Sequence, residues 1–309
     1  MMRLVFMVTG EISEATFADA LTHEYEVVGL VTQPDRPFGR KQIMTAPRVK
    51  EIALDAGVPL IQPESVRKAE ALDQIRQWNP EVIVVMAYGQ ILPQALLDIP
   101  SRAIINLHAS LLPKYRGASC IQAALKNGDV ETGWSVIHVV KRLDAGNVIL
   151  QKVVSILEGE TCGELHDRLA QVGPAACQAA LRMIESGPVE GAAQDESLQT
   201  YVPKLGRKDG FLNWSRPAKE LECLVRAFHP WPGTSAELGL KKMKVFPPTK
   251  IGEGQGEPGE LLRVGEETIE IACGSGSLNL GEVQLEGSRR MNGGELARGH
   301  FEVLKAGLK

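Results

Sequence analysis

Short apolar runs return at intervals through the first two thirds of the chain. Residues 4–8, 27–32, 82–87 and 103–107 are rich in Val, Ile and Leu and are bounded by polar positions. That length and composition predict buried strands. Between them, 14–21, 46–56, 66–77 and 93–97 space their apolar residues three and four apart, the period of a helix with one face inward. Strands alternating with helices imply βαβ crossovers, and hence an α/β, doubly wound, mostly parallel Rossmann-like sheet. In such sheets, ligands sit beyond the carboxyl ends of the strands, where the chain direction splits.

The pattern changes further along. A hairpin-like pair, 133–140 and 148–155, is expected to extend the sheet, followed by a long helix over 162–184 that Pro174 should kink or break. Between 187 and 201 the chain becomes Gly, Ala and polar, which reads as a linker. Beyond a helix over 217–228 come short β runs at 235–240, 243–246, 260–264, 268–272 and 278–283, punctuated by Gly and Pro. Several short strands in about a hundred residues suggest a C-terminal OB-like β-barrel. The expected division is a catalytic domain over 1–187, a linker over 188–206 and a barrel domain over 207–309.

Composition narrows the class without naming it. The 309 residues exceed the usual single-domain size, and 44% hydrophobic content supports at least one large core. Five scattered cysteines, with no Cys-x-x-Cys pair or metal-type spacing, argue against a disulfide framework and give no metal site. The run at 4–8 is too short for a signal or membrane segment, so a cytoplasmic protein with no membrane partner is expected. A net charge of −4 disfavours a general nucleic-acid binder, so any RNA contact must rest on local charge.

Candidate chemistry concentrates at 106–117, read N-L-H-A-S-L-L-P-K-Y-R-G. Positions two apart on a strand share a face, so Asn106 and His108 can address one reacting atom. An amide donor and an imidazole suit a carbonyl oxygen that becomes negative in the transition state. The plainer reading is a strand end with a satisfied histidine. Asp144, in the Gly-bounded turn at 143–146, would fix the tautomer of a nearby imidazole and stabilise its charge, although an isolated turn aspartate is usually only a turn residue. A dinucleotide site is disfavoured, because the first strand runs into Thr9-Gly10-Glu11 with no G-x-G-x-x-G.

Asn106, His108 and Asp144, with S-L-L-P-K-Y-R-G between them, resemble the catalytic set of the folate-dependent formyltransferases. The resemblance extends to Q-P-D-R-P at 33–37, M-A-Y-G at 86–89, I-L-P at 91–93, R-A-F-H-P-W-P-G at 226–233 and the tail from Arg289 to His300. It implies transfer of a formyl group from the co-substrate 10-formyltetrahydrofolate to an amine, without a metal. The end-to-end likeness points to the branch that formylates methionine carried on charged initiator tRNA, by a monomer. By the same resemblance, the pterin would lie against Met86, Ala87, Tyr88, Gly89, Ile91 and Leu92 and the backbone of Ser110, Leu111, Leu112 and Pro113. Phosphate contacts would come from Arg36, Arg40 and Lys41 in a flexible loop, from Arg116, and from Lys241, Lys242 and Lys244. The chain departs from the family pattern at 8–12, where a G-T-P-x-F type segment is usual. Two alternatives remain: a sugar-nucleotide N-formyltransferase, and a non-catalytic tRNA-binding protein on the same scaffold.

Overall fold

The computed structural model describes residues 1–39 and 41–309. In chain order the elements are β1 (Arg3–Val8), α1 (Glu14–Ala20), β2 (Glu26–Val31), β3 (Arg36–Phe38), β4 (Ile43–Thr45), α2 (Arg48–Asp55), β5 (Leu60–Ile61), α3 (Ala69–Gln77), β6 (Val82–Met86), α4 (Gln94–Leu97) and β7 (Ala103–His108). They continue with β8 (Arg116–Gly117), α5 (Cys120–Lys126), β9 (Glu131–His138), β10 (Val148–Ser155), α6 (Cys162–Ser186), β11 (Tyr201–Val202) and α7 (Ala218–Ala227). The last are β12 (Thr234–Leu238), β13 (Lys241–Gly252), β14 (Leu261–Val264), β15 (Ile269–Ala272), β16 (Ser277–Leu285), β17 (Met291–Asn292) and α8 (Gly293–Lys305).

A seven-stranded sheet in the order β10-β9-β7-β6-β1-β2-β5 forms the first unit. Strands β5, β2, β1, β6 and β7 run parallel, and β9 joins β7 antiparallel. The chain winds from β1 toward β5 and then restarts at β6 on the other side of β1. The carboxyl ends of β1 and β6 therefore flank the point where chain direction splits. One core covers a sheet face with Val5, Met7, Val31, Ile83, Val85 and Ile104 against Ile75, Leu72 and Trp78. Gly29 lets Trp78 close on that face, because a Cβ there would lie 2.4 Å from the indole. α6 is one continuous helix with Pro174 inside it, not a broken one. The preceding Gly173 admits close packing, since a Cβ would meet Thr16 Oγ1 at 2.6 Å.

The second unit carries an antiparallel sheet in the order β12-β13-β16-β15-β14, with β17 on β16. Met243, Val245, Ile269, Ile271, Leu278, Leu280 and Val283 fill its interior. Leu221, Leu224 and Val225 of α7 are buried as well, and α5 packs on α7. α8 lies beyond anything the sequence pattern suggested; Asn292 caps it, its side chain accepting from Glu295 N at 2.7 Å.

The packing divide differs from the expected 1–187, 188–206 and 207–309. One unit comprises Met1–Gly117, Thr132–Val154 and His166–Tyr201; the other comprises Ala118–Glu131, Ser155–Leu165 and Val202–Lys309. The stretch expected to be a free linker contributes most of its residues to the first unit, because its backbone and side chains bond to that unit's loops.

Candidate active site

β7 places the first two groups. Asn106 pairs in register with Val85 of β6 and Ile137 of β9, and His108 ends the strand opposite Ser135. Apolar neighbours Ile104, Ile105 and Leu107 are buried on either face and pin the strand. The β9–β10 connection supplies Asp144, at φ 48, a left-handed conformation uncommon for a residue with a side chain. Gly146 makes the tight turn possible, because a Cβ there would lie 1.7 Å from His138 O.

The three expected residues converge. Asn106 Nδ2 donates to Asp144 Oδ1 at 3.4 Å, and His108 Nδ1 lies 3.7 Å from Asp144 Oδ2. Gly117 N donates to the same Oδ2 at 2.8 Å. His108 Nε2 lies 2.9 Å from Tyr115 O, and since a carbonyl only accepts, that nitrogen carries the proton in this contact. Both side chains are nearly buried, 8% and 11% exposed for His108 and Asp144. A charge on His108 would therefore meet the Asp144 carboxylate with little screening from water.

Around this cluster, the expected folate surface divides. Met86 and Tyr88 are buried in the core, so their side chains cannot face a ligand, whereas Ala87, Gly89 and Ile91 are exposed and Leu92 is half-buried. Ala87 adopts φ 49, and Gly10 N donates to its carbonyl at 3.4 Å. Burial also pushes the Tyr88 hydroxyl well above its usual titration range. Ser110–Pro113 behaves as scaffold where exposed backbone was expected. Ser110 O accepts from Ser135 Oγ, Leu112 N donates to Ser135 Oγ, and Leu112 O accepts from Gln151 Nε2 at 2.8 Å. Pro113 O accepts from Thr200 N and Leu111 O from Lys114 N, so each of these carbonyls already has one partner within the protein.

Arg116 requires a correction. It was expected to meet phosphate, yet its side chain is 3% exposed. Its Nε and Nη2 donate to Gln194 Oε1, Nη1 to Glu196 Oε2 and Gln199 Oε1, and Nη2 to Glu196 Oε1. All five guanidinium N–H donors are thereby used, leaving none for a phosphate. Sequence reasoning missed Gln194 and Thr200 altogether, and gave Tyr115 and Ser135 no part in supporting the site. Only the density of hydrogen-bonding side chains at 194–200 could have signalled them.

The remaining cations lie elsewhere. The first residues of the expected loop, 36–38, form strand β3 paired with β4, with Arg36 opposite Thr45. Arg36 is exposed, 3.9 Å from Glu64, and Lys41 is exposed; Arg40 lies outside the described residues. Ile43 and Met44 on β4 are also exposed. On β13, exposed Lys242 and Lys244 alternate with buried Met243 and Val245, so they share the outer face, and Lys241 is exposed at the strand's start. Arg290 stacks 3.6 Å above the Phe246 ring on that strand while pairing with Glu282.

The description "formyl transferase" matches residues 2–181, and "formyl transferase, C-terminal domain" matches 204–300. The chain belongs to the formyl transferase family. A formyl transferase of Akkermansia muciniphila named methionyl-tRNA formyltransferase is 48% identical, covering 97% of each chain. Another of that name from Pseudomonas fluorescens is 42% identical over 99% of this chain and 96% of its own. Among solved structures, the sugar 3N-formyl transferase WlaRD, determined with dTDP and 5-N-formyl-THF, superposes with a TM-score of 0.68 at 16% identity, covering 94% of this chain and 99% of that one. HypX from Aquifex aeolicus in complex with tetrahydrofolic acid gives 0.63 at 17% identity, over 99% of this chain and 48% of that one. At such identities the structural likeness speaks for the fold alone.

Proposed function

We propose that the protein transfers a formyl group from 10-formyltetrahydrofolate to the α-amino group of methionine esterified to initiator tRNA. The observation that carries this reading is full-length identity of 42–48% to relatives of that name, which includes the C-terminal unit. The convergence of Asn106, His108 and Asp144 supports formyl chemistry at this end of the sheet. The amine attacks the formyl carbon and a tetrahedral oxyanion forms. The bond to the folate nitrogen then breaks, that nitrogen takes a proton, and the amine loses one. Asn106 has two N–H donors; one reaches Asp144 and the other can serve the oxyanion, a contribution of about 3 kcal/mol. Asp144 stabilises charge on His108, and the pair manages the proton.

The folate ring is assigned to the exposed Ala87, Gly89 and Ile91 beside Gly10, with half-buried Leu92 at the margin. For the tRNA, we assign phosphate contacts to Arg36 and Lys41, to Arg40, and to Lys241, Lys242 and Lys244 on an OB-type barrel. The five cysteines are free and buried, which suits the reducing cytoplasm, and we take the working form to be a monomer. No helix among the described residues is long and apolar enough to cross a membrane. The test is formyl transfer from 10-formyltetrahydrofolate to charged initiator tRNA, with dTDP-amino sugar and uncharged tRNA offered in parallel. Transfer to the sugar alone would overturn the reading in favour of a sugar-nucleotide enzyme, and tRNA binding without transfer would leave only a binding protein.

A further inference from the structure

The stretch 189–200, linker-like in composition, is bonded along its length to the loops that carry the reacting residues. His138 Nε2 donates to Val189 O at 2.7 Å, Asn147 Nδ2 to Glu190 O at 3.0 Å, and Val148 and Ala192 exchange backbone bonds at 2.8 Å. Gly191, at φ 71, permits the close approach, since a Cβ there would lie 2.8 Å from Val148 O. Next, Gln194 Nε2 donates to both Asp144 O and Gly146 O at 2.8 Å, while its Oε1 accepts from Arg116. Thr200 Oγ1 accepts from Tyr115 N at 2.8 Å, and the Tyr115 carbonyl is the partner of His108 Nε2. The stretch falls between the ranges the two family descriptions match.

We propose that Gln194 is a positioning residue for formyl transfer, holding the Asp144 turn in register with Asn106 and His108. Its two amide N–H groups clamp the Asp144–Ala145 and Gly146–Asn147 peptide planes. That fixes the left-handed backbone of Asp144, so its carboxylate stays on Gly117 N and Asn106 Nδ2. The oxygen end of the same amide receives Arg116, whose remaining donors go to Glu196 and Gln199, so the brace is anchored within its own stretch. The kinetic part of this inference rests on the formyl-transfer reading above.

Gln194→Glu separates the two ends of the amide: a carboxylate still accepts from Arg116 but has no proton to give the Asp144 and Gly146 carbonyls. The variant should stay folded with a lowered thermal midpoint and lose roughly tenfold or more in kcat, with KM for both substrates within about twofold. In an Asp144→Asn background, the same change should add less than about twofold, because its effect passes through the carboxylate. Hydrogen exchange at Gly117 N, which donates to Asp144, should quicken in Gln194→Glu whatever amine the enzyme accepts, so this readout tests the brace even if the tRNA reading fails. If Gln194→Glu does not fold, Gln194→Met, which also lacks the donors, carries the same measurements. Wild-type kcat, an undiminished loss in the Asp144→Asn background, or unchanged Gly117 protection would each overturn the proposal.

Discussion

Arg116 and Lys244 are both cations on strands, and they use their charge in opposite ways. Arg116 is buried in the first unit with five donors on Gln194, Glu196 and Gln199; Lys244 stands on the outer face of β13 in the second, exposed beside Lys242. The first arrangement fixes a loop, because a saturated guanidinium leaves no donor for a ligand. The second leaves charge free to meet a polyanion. Sequence alone gave both residues the same role, so burial and donor saturation, not charge, distinguish a strut from a contact.

The largest effects should come from the sealed side of this contrast. Asn106→Ala and His108→Ala should each lower the single-turnover rate by roughly 100-fold while tRNA affinity holds, as expected for an oxyanion donor and for the group that moves the proton. Equal losses in rate and tRNA affinity would break the contrast. Next in size is Arg116→Ala, which should cost about 2 kcal/mol of stability, the partners being half-exposed and able to take up water. It should also slow catalysis without altering the salt dependence of tRNA binding; a shallower log–log slope would make Arg116 a phosphate contact after all.

Lys242→Ala with Lys244→Ala should do the reverse, making that slope shallower by about two units and leaving the single-turnover rate at saturation unchanged. An unaltered slope would mean the outer face of β13 is merely solvated. The smallest effect concerns His229 in the second unit, whose imidazole is held below its usual range first by burial and then by repulsion from Arg290. A histidine depressed in the folded state contributes stability that is present above its unfolded value, about 6.5, and lost as pH falls through the folded one. Unfolding midpoints should therefore drop between about pH 7 and 5 and flatten in His229→Gln. A fall of equal depth in the variant would show that other groups govern it.

Strands β1, β2, β6 and β7 were legible because burial on both faces demands continuous apolar runs, and Asn106 and His108 followed from strand geometry at such an end. Strands β3 and β4 were not, because an exposed hairpin needs no apolar alternation; β4 is exposed throughout. α8 opens on Gly293-Gly294, poor helix formers, and owes its start to the Asn292 cap. Met86 looked available for a ligand only because a strand's last residue shows no sidedness by itself; in the fold it points into the core. Gln194 was invisible for a different reason: its partners at 144 and 146 lie fifty and forty-eight positions away, and no local pattern encodes a side chain reaching that far.

The interleaving of the two units bears on how the molecule can be dissected. A chain cut after Gly187, where the composition changes, would lose Gln194 and Thr200 and with them the supports of the Asp144 turn and Tyr115. A cut after Tyr201 would keep those supports but separate α5, whose Ile121, Ala124 and Leu125 are buried, from α7, the helix that packs on it. No single break in the backbone yields both units whole. A catalytic fragment would need residues through Tyr201 together with a redesigned, polar surface for α5.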